Sequence, residues 1–266
     1  MAYHGKSEAA MDEERLTTFI ESLTVTNPPY LQALEQEALA AGVPIIRPQT
    51  QSLLHFLLEL KKPTRILEVG TAVGFSALLM REYAGAGIQI TTIEKEEERV
   101  RQARRNFEQR ALAEEREEAD AAENRRTERE AAAAENRRAP EEPEAFSYAF
   151  ADGSRIRLIP GDAAQVLPAL EGPFDLIFMD AAKGQYIRFL PEVQRLLEPG
   201  GVLLSDNILQ EGEILSSKFA VTRRNRTIHK RMREYLFALT HDEAWQTIVL
   251  STGDGAALSV RRESGT

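Results

Sequence analysis

The chain contains no cysteine, so disulfides, thiolate nucleophiles and thiolate-held metals are all excluded, and any metal must be bound by oxygen or imidazole. It also lacks anything close to the roughly 18 to 20 uninterrupted apolar residues that a membrane span requires. The opening MAYHGKSEAAMDEERL has no apolar signal-peptide core, and the expectation is a cytoplasmic protein. At 266 residues and 42 % hydrophobic content the chain can bury one sizeable core. We expect a single domain over 1–266, with N-terminal helices at 12–62, a core at 63–266 and one insertion.

The formal net charge of −9 argues at first against a polyanionic partner. Its distribution reverses that reading. Between Glu108 and Glu144 there are 13 acidic and 7 basic residues, so this stretch alone supplies −6 and leaves −3 for the rest. Conversely, TRRNRTIHKRMREY (Thr222 to Tyr235) sets six Arg or Lys residues against one Glu.

Three helices are predicted first: DEERLTTFIESL, then PPYLQALEQEALAAG between Pro28 and Gly42, then PQTQSLLHFLLEL closed by Pro63. After them, short apolar runs alternate with helical stretches: RILEVG, IQITTIE, RIRLIPGD, FDLIFMD and GVLLSDN. Near-continuous aliphatic strands alternating with helices imply a parallel sheet covered on both faces. The end differs, because WQTIVLSTGDGAALSVRR places two strands around a Gly-Asp-Gly turn and predicts an antiparallel hairpin at the sheet edge. Residues 108–149 break the rhythm, being about 35 residues too long for a compact crossover. Their Ala/Glu/Arg composition, the twofold occurrence of AENRR, and Pro140 and Pro143 describe a solvated insertion, helical or partly disordered.

LEVGTAVGFS (Leu67 to Ser76) reads as a strand, a glycine turn and a helix start. Gly70 and Gly74 would let backbone approach a ligand, but the spacing is G-x-x-x-G, with Glu68 two residues ahead, rather than the dinucleotide G-x-G-x-x-G. A carboxylate there would repel a pyrophosphate and could pair with an ammonium, which S-adenosylmethionine carries. Glu94 ends the second core strand, where it could hold both ribose hydroxyls, and Asp162 with the Ala163 backbone ends the third, within reach of an adenine. Each acid could equally be a helix cap. Together they outline one nucleoside-shaped crevice.

Asp180 closes the fourth core strand and Asp206-Asn207 the fifth, one crossover later, so neighbouring parallel strands bring three oxygen side chains to one sheet edge. Such donors suit Mg²⁺, Mn²⁺ or Ca²⁺; the alternative is that they cap the following helices. Lys183, three residues beyond Asp180, is placed either to take a proton or to neutralise local carboxylates.

E-V-G-T-A-V-G-F-S, D-A-A-K-G-Q-Y and the D-N pair resemble the metal-dependent O-methyltransferases that include catechol and caffeoyl-CoA methyltransferases, over residues 14–260 apart from the insertion. The resemblance implies a class I, Rossmann-like α/β fold with a seven-stranded, mostly parallel sheet and an antiparallel C-terminal hairpin, S-adenosylmethionine as cofactor, and a homodimer formed through the N-terminal helices. It implies Asp180, Asp206 and Asn207 as metal ligands and Lys183, beside Asp180, as the catalytic base. It further implies a cofactor site of Ile46, Glu68, Gly70, Ser76, Glu94, Asp162, Ala163 and Asp180.

Within that family D-A-A-K-G-Q-Y, S-D-N-I-L and R-R-N-R-T-I-H-K-R-M-R-E-Y are most similar to the bacterial tRNA 5-hydroxyuridine methyltransferases, which implies tRNA, met at the anticodon loop, as partner. Arg223, Arg224, Arg226, Lys230, Arg231 and Arg233 would then bind phosphates. Ala257 stands near the last hairpin, where the catechol enzymes carry a carboxylate. The competing readings are a small-molecule O-methyltransferase for catechols or hydroxycinnamoyl thioesters, a nicotinamide dehydrogenase, and a nucleotide-binding module without catalysis.

Overall fold

The structure is a computed structural model that describes residues 13–126, 145–209, 212–215, 222 and 225–263. Helices α1 (Glu13–Ser22), α2 (Pro29–Ala40) and α3 (Pro48–Lys61) open it. The last two begin at prolines, whose missing N–H costs nothing in a first turn. α3 ends at Lys62 in the left-handed conformation, φ +48°, directly before Pro63.

The expected alternation follows: β1 (Arg65–Val69), α4 (Phe75–Ala84), β2 (Gln89–Glu94) and α5 (Glu97–Arg126). Next come β3 (Phe146–Ala149), β4 (Arg155–Pro160), α6 (Ala163–Val166), β5 (Phe174–Met179), α7 (Tyr186–Leu196) and β6 (Leu197–Ser205). α8 (Arg226–His241), β7 (Trp245–Leu250) and β8 (Ala256–Arg261) close the fold. One mixed sheet runs β3-β4-β2-β1-β5-β6-β8-β7. Its five central strands are parallel, β8 is antiparallel to β6, and β7 and β8 form the predicted C-terminal pair.

Helices cover both faces, which explains the unbroken apolar run of β5. Leu176 and Phe178 join the core under α2 to α5, while Ile177 and Met179 join the core under α6 to α8. Burial of each of these four side chains contributes on the order of 2 kcal/mol. That anchorage makes β5 a rigid mount for whatever follows Met179.

The sheet has eight strands where seven were expected, and the additional one, β3, lies inside the predicted insertion. FSYA is only four residues long and half-buried at the edge, so its alternation is too short to register in sequence. It pairs with β4 antiparallel, Phe146 opposite Leu158. The other end of the insertion is also part of the body. α5 continues unbroken through residue 108, and its Glu114 is buried against Arg81, which reaches Asp152 at 3.0 Å. Residues 127–144, including the second AENRR and both prolines, lie outside the described residues. Among the described residues no helix is long and apolar enough to cross a membrane.

Candidate active site

Strand order reverses at β1, with β2 on one side and β5 on the other, and the carboxyl ends of these strands open onto a cavity of about 380 Å³. Ile46, Gly70, Ser76, Glu94, Asp162, Ala163, Asp180, Lys183 and Asn207 line it. Glu68 and Asp206 stand behind its wall.

Glu68 is fully buried in β1, and its carboxylate accepts hydrogen bonds from Ser76 Oγ and Thr92 Oγ1. Thr71 Oγ1 extends this chain, 2.5 Å from Thr92 Oγ1. Burial pushes the Glu68 carboxyl up from 4.5 to about 7, the two hydroxyls oppose the rise, and Asp180 and Glu94 add to it. Glu68 thus stands behind Ser76, which lines the cavity where Glu68 does not. Both oxygens are engaged, and Ser76, at the start of α4, holds the place on the cavity wall.

The glycines of the turn are also required by the packing around them. Gly70 has φ +109°, and a Cβ there would collide with the carbonyl oxygen of Asp180; at Gly74, φ +85°, it would strike the Phe107 ring. They admit neighbouring parts of the chain, α5 and the residue after β5, and Gly70 also lines the cavity. Glu94 organises the same turn: Oε2 accepts from Ala72 N at 2.8 Å, and Oε1 from Lys95 N and Glu96 N at 2.9 Å. Ala72 is thereby held at φ +46°, a left-handed conformation costly for alanine. Asp162 caps α6, its Oδ1 accepting from Ala164 N at 2.9 Å, while it also faces the cavity. Cap and cavity positions coexist there.

At the chemical end the sheet ladder continues past the strands, with Asp180 N bonded to Val69 O and Asp206 N to Met179 O, each at 3.0 Å. These bonds bring the candidate ligands together. Asn207 Nδ2 lies 3.3 Å and Lys183 Nζ 2.9 Å from Asp180 Oδ1. Asn207 is held at φ +53°, a strained conformation of the kind concentrated at functional sites. Ligation through Asn207 Oδ1 requires the amide to turn over from this arrangement.

Asp206 is 1 % exposed. Its Oδ1 accepts from Asn207 N at 2.8 Å and Thr50 Oγ1 at 3.1 Å, whereas Oδ2 is buried with no hydrogen-bond partner. Burial, and then the Asp180 charge, push its carboxyl up from 3.8 to about 6. A buried carboxylate oxygen without a partner is costly, and a cation there removes the cost. Among the described residues no group of three or more His, Cys, Asp or Glu side chains could hold a metal, so such a site needs the Asn207 amide as third donor.

Sequence reasoning missed two residues. Tyr186 is fully buried, and its Oη lies 3.0 Å from Met179 O and 3.2 Å from Asp206 O, tying the tips of β5 and β6 together. Thr50 comes from α3, 156 positions from Asp206 in sequence. Nothing local in PQTQS marks it. Of the basic strip, Arg231 Nη1 donates to Gly184 O at 3.2 Å and Arg233 Nη1 to Ile214 O at 3.4 Å, while Lys230 is exposed, 3.6 Å from Glu234. Arg226 joins these three around a groove beside α8; Arg223 and Arg224 lie outside the described residues.

A doubly covered, mostly parallel sheet with an antiparallel C-terminal pair, and a nucleoside-sized cavity at the reversal of strand order, is the architecture of the class I S-adenosylmethionine-dependent methyltransferases. The sequence matches the O-methyltransferase family over residues 21–155 and 132–262, and the chain belongs to that family: it is an O-methyltransferase. It is 26 % identical over 201 residues to a catechol O-methyltransferase of Mycobacterium tuberculosis, covering 74 % of this chain and 73 % of the relative. Against a catechol O-methyltransferase of Niastella koreensis it is 24 % identical over 208 residues, 76 % of each. In fold it is similar to an SAH-bound methyltransferase of Podospora anserina, with a TM-score of 0.71 and 22 % identity over 98 % of this chain and 100 % of that one. The SAM complex of TomG, an O-methyltransferase of Streptomyces achromogenes involved in tomaymycin synthesis, gives 0.66 and 20 % over 96 % and 100 %.

Proposed function

We propose that this O-methyltransferase takes its methyl group from S-adenosylmethionine, holds a divalent cation with Asp180, Asp206 and Asn207, and methylates 5-hydroxyuridine in a tRNA anticodon loop to 5-methoxyuridine. The observation that carries the cation is Asp206 Oδ2, buried without a partner beside Asp180 and Asn207. The all-oxygen donor set suits Mg²⁺, Mn²⁺ or Ca²⁺. When bound, such a cation acidifies a coordinated hydroxyl and gathers two adjacent oxygens of an acceptor. The 5-hydroxyl and C4 carbonyl of the modified base form such a pair, as a catechol does.

The cavity suits the donor. Glu94 and Asp162 offer acceptors for hydroxyls and an amino group, and Ser76, whose hydroxyl donates to Glu68, offers a polar wall. In the transfer the acceptor oxygen attacks the sulfonium methyl carbon, the carbon–sulfur bond breaks, and its electron pair stays on sulfur. Lys183 receives the hydroxyl proton. Accepting it requires the amine form of Lys183, whose Nζ stands 2.9 Å from Asp180 Oδ1.

The tRNA reading is supported by where the basic strip sits. α8 packs on the turn that carries Lys183, through Arg231 and Gly184 O, so phosphates gathered by Arg226, Lys230 and Arg233 would lie next to the acceptor end. The rival reading, catechol or hydroxycinnamoyl methylation, is favoured by the names of the Mycobacterium and Niastella relatives. Against it, Ala257 is fully buried between Ser205 and Val249, so this hairpin position supplies no carboxylate to a second hydroxyl. A homodimer is supported by exposed apolar residues at the N-terminal helices: Leu16, Phe19 and Ile20 along α1, Leu23 just beyond it, and Phe56 and Leu60 on α3. Sedimentation of the wild type and of Phe19→Glu tests it.

The deciding experiment supplies labelled S-adenosylmethionine with tRNA bearing 5-hydroxyuridine, with a catechol or with caffeoyl-CoA, with and without EDTA. Label entering only the tRNA, and only without EDTA, is expected. Transfer confined to the small molecules would overturn the substrate, and EDTA-insensitive transfer would overturn the cation.

A further inference from the structure

We infer that Thr50 is the positioning residue that presents the Asp206 carboxylate to a cation, an inference that rests on the metal reading above. Thr50 sits in the first turn of α3 and is 1 % exposed, like Asp206 itself. Its Oγ1 donates to Asp206 Oδ1 at 3.1 Å, and Asn207 N donates to the same oxygen at 2.8 Å. Two donors on Oδ1 fix the rotation of the carboxylate about its last bond. Oδ2 is consequently the oxygen left with free lone pairs, and it is the one with no hydrogen-bond partner.

Thr50 is suited to this by its own rigidity and its surroundings. A β-branched side chain on a helix has few χ1 choices. The carbonyl four residues back, Ile46 O, accepts from Gln51 Nε2 at 3.1 Å, and Thr50 Oγ1 donates to the carboxylate. Gly253 lies close by: a Cβ there would sit 3.4 Å from Thr50 Oγ1, an ordinary van der Waals contact. The free N–H groups of the α3 N-terminus place partial positive charge on the same side, which favours an ionised partner. Thr50 does not line the cavity, so its effect runs through Asp206 and not through a cofactor contact.

The test uses Thr50→Val, which keeps the shape and deletes the hydroxyl, and Thr50→Ser, which restores it. Binding of Mn²⁺ alone, without S-adenosylmethionine, is followed by the loss of the free-ion EPR signal. Removing such an outer partner is expected to weaken Mn²⁺ binding about 10- to 100-fold in Thr50→Val. Thr50→Ser should bind as the wild type does, and thermal unfolding of both variants in EDTA should match it. Equal Mn²⁺ affinity in wild type and Thr50→Val would overturn the inference, as would a Ser variant as weak as the Val variant. A wild type that binds no Mn²⁺ would overturn the metal reading itself and this inference with it. Should Thr50→Val not fold, Thr50→Ala is read in the same titration with the same expected loss.

Discussion

Lys183 Nζ lies 2.9 Å from Asp180 Oδ1, and the same nitrogen reaches Tyr186 Oη at 3.2 Å and the Asp206 carbonyl oxygen at 3.3 Å. One side chain thus touches both strand tips that carry the candidate cation ligands. Lys183→Ala should lower kcat by about 10²- to 10⁴-fold, the range of a lost general base. Calorimetric binding of S-adenosylhomocysteine should stay close to wild type. An unaltered rate would remove Lys183 from the chemistry.

Asp206→Asn keeps the shape of the second ligand and removes its charge. In the wild type, Mn²⁺ at a hundredfold excess over its Kd should add about 2.7 kcal/mol of stability, seen as a rise in Tm over the protein in EDTA. The variant should show no such rise, together with loss of methyl transfer. A metal-dependent Tm shift that survives the substitution would place the cation elsewhere.

Glu68 predicts a pH dependence whose sign is fixed by its environment. The folded-state value of about 7 exceeds the usual 4.5, so the folded protein keeps a proton that the unfolded chain has released. Stability from this group is therefore full below about 4.5, declines between about 4.5 and about 7, and levels off above. The shift corresponds to on the order of 3 kcal/mol across that window. Urea denaturation at pH 5 and pH 8 should show a smaller fall in Glu68→Gln than in the wild type. Parallel falls would contradict the assignment.

Arg226→Glu with Lys230→Glu tests the nucleic-acid reading while leaving in place Arg231, which donates to Gly184 O beside Lys183. The double variant should lose tRNA affinity at moderate salt, with a shallower dependence of binding on salt by about one unit for each phosphate contact removed. Methylation of free 5-hydroxyuridine should be unaffected. A fall in the nucleoside reaction as well would mean that α8 supports the site in some other way.

Strand–helix alternation from RILEVG onward was legible because strands buried on both faces have to be continuously apolar. The residues that end them, Glu94, Asp162, Asp180 and Asp206-Asn207, stand out for the same reason: each is a polar group at the end of an apolar run. By itself, then, the sequence determined the class of fold and the residues gathered at one sheet edge. Tertiary structure alone decided what each is bonded to. Glu68 turned out to be a buried acid behind Ser76 because α4 folds back over β1. FSYA became an eighth strand because β4 offered it an edge. Thr50 and Tyr186 were invisible along the chain, since a hydroxyl's role depends on which acceptor the packing brings to it. The unbonded oxygen of Asp206 exists only where α3, β5 and β6 converge.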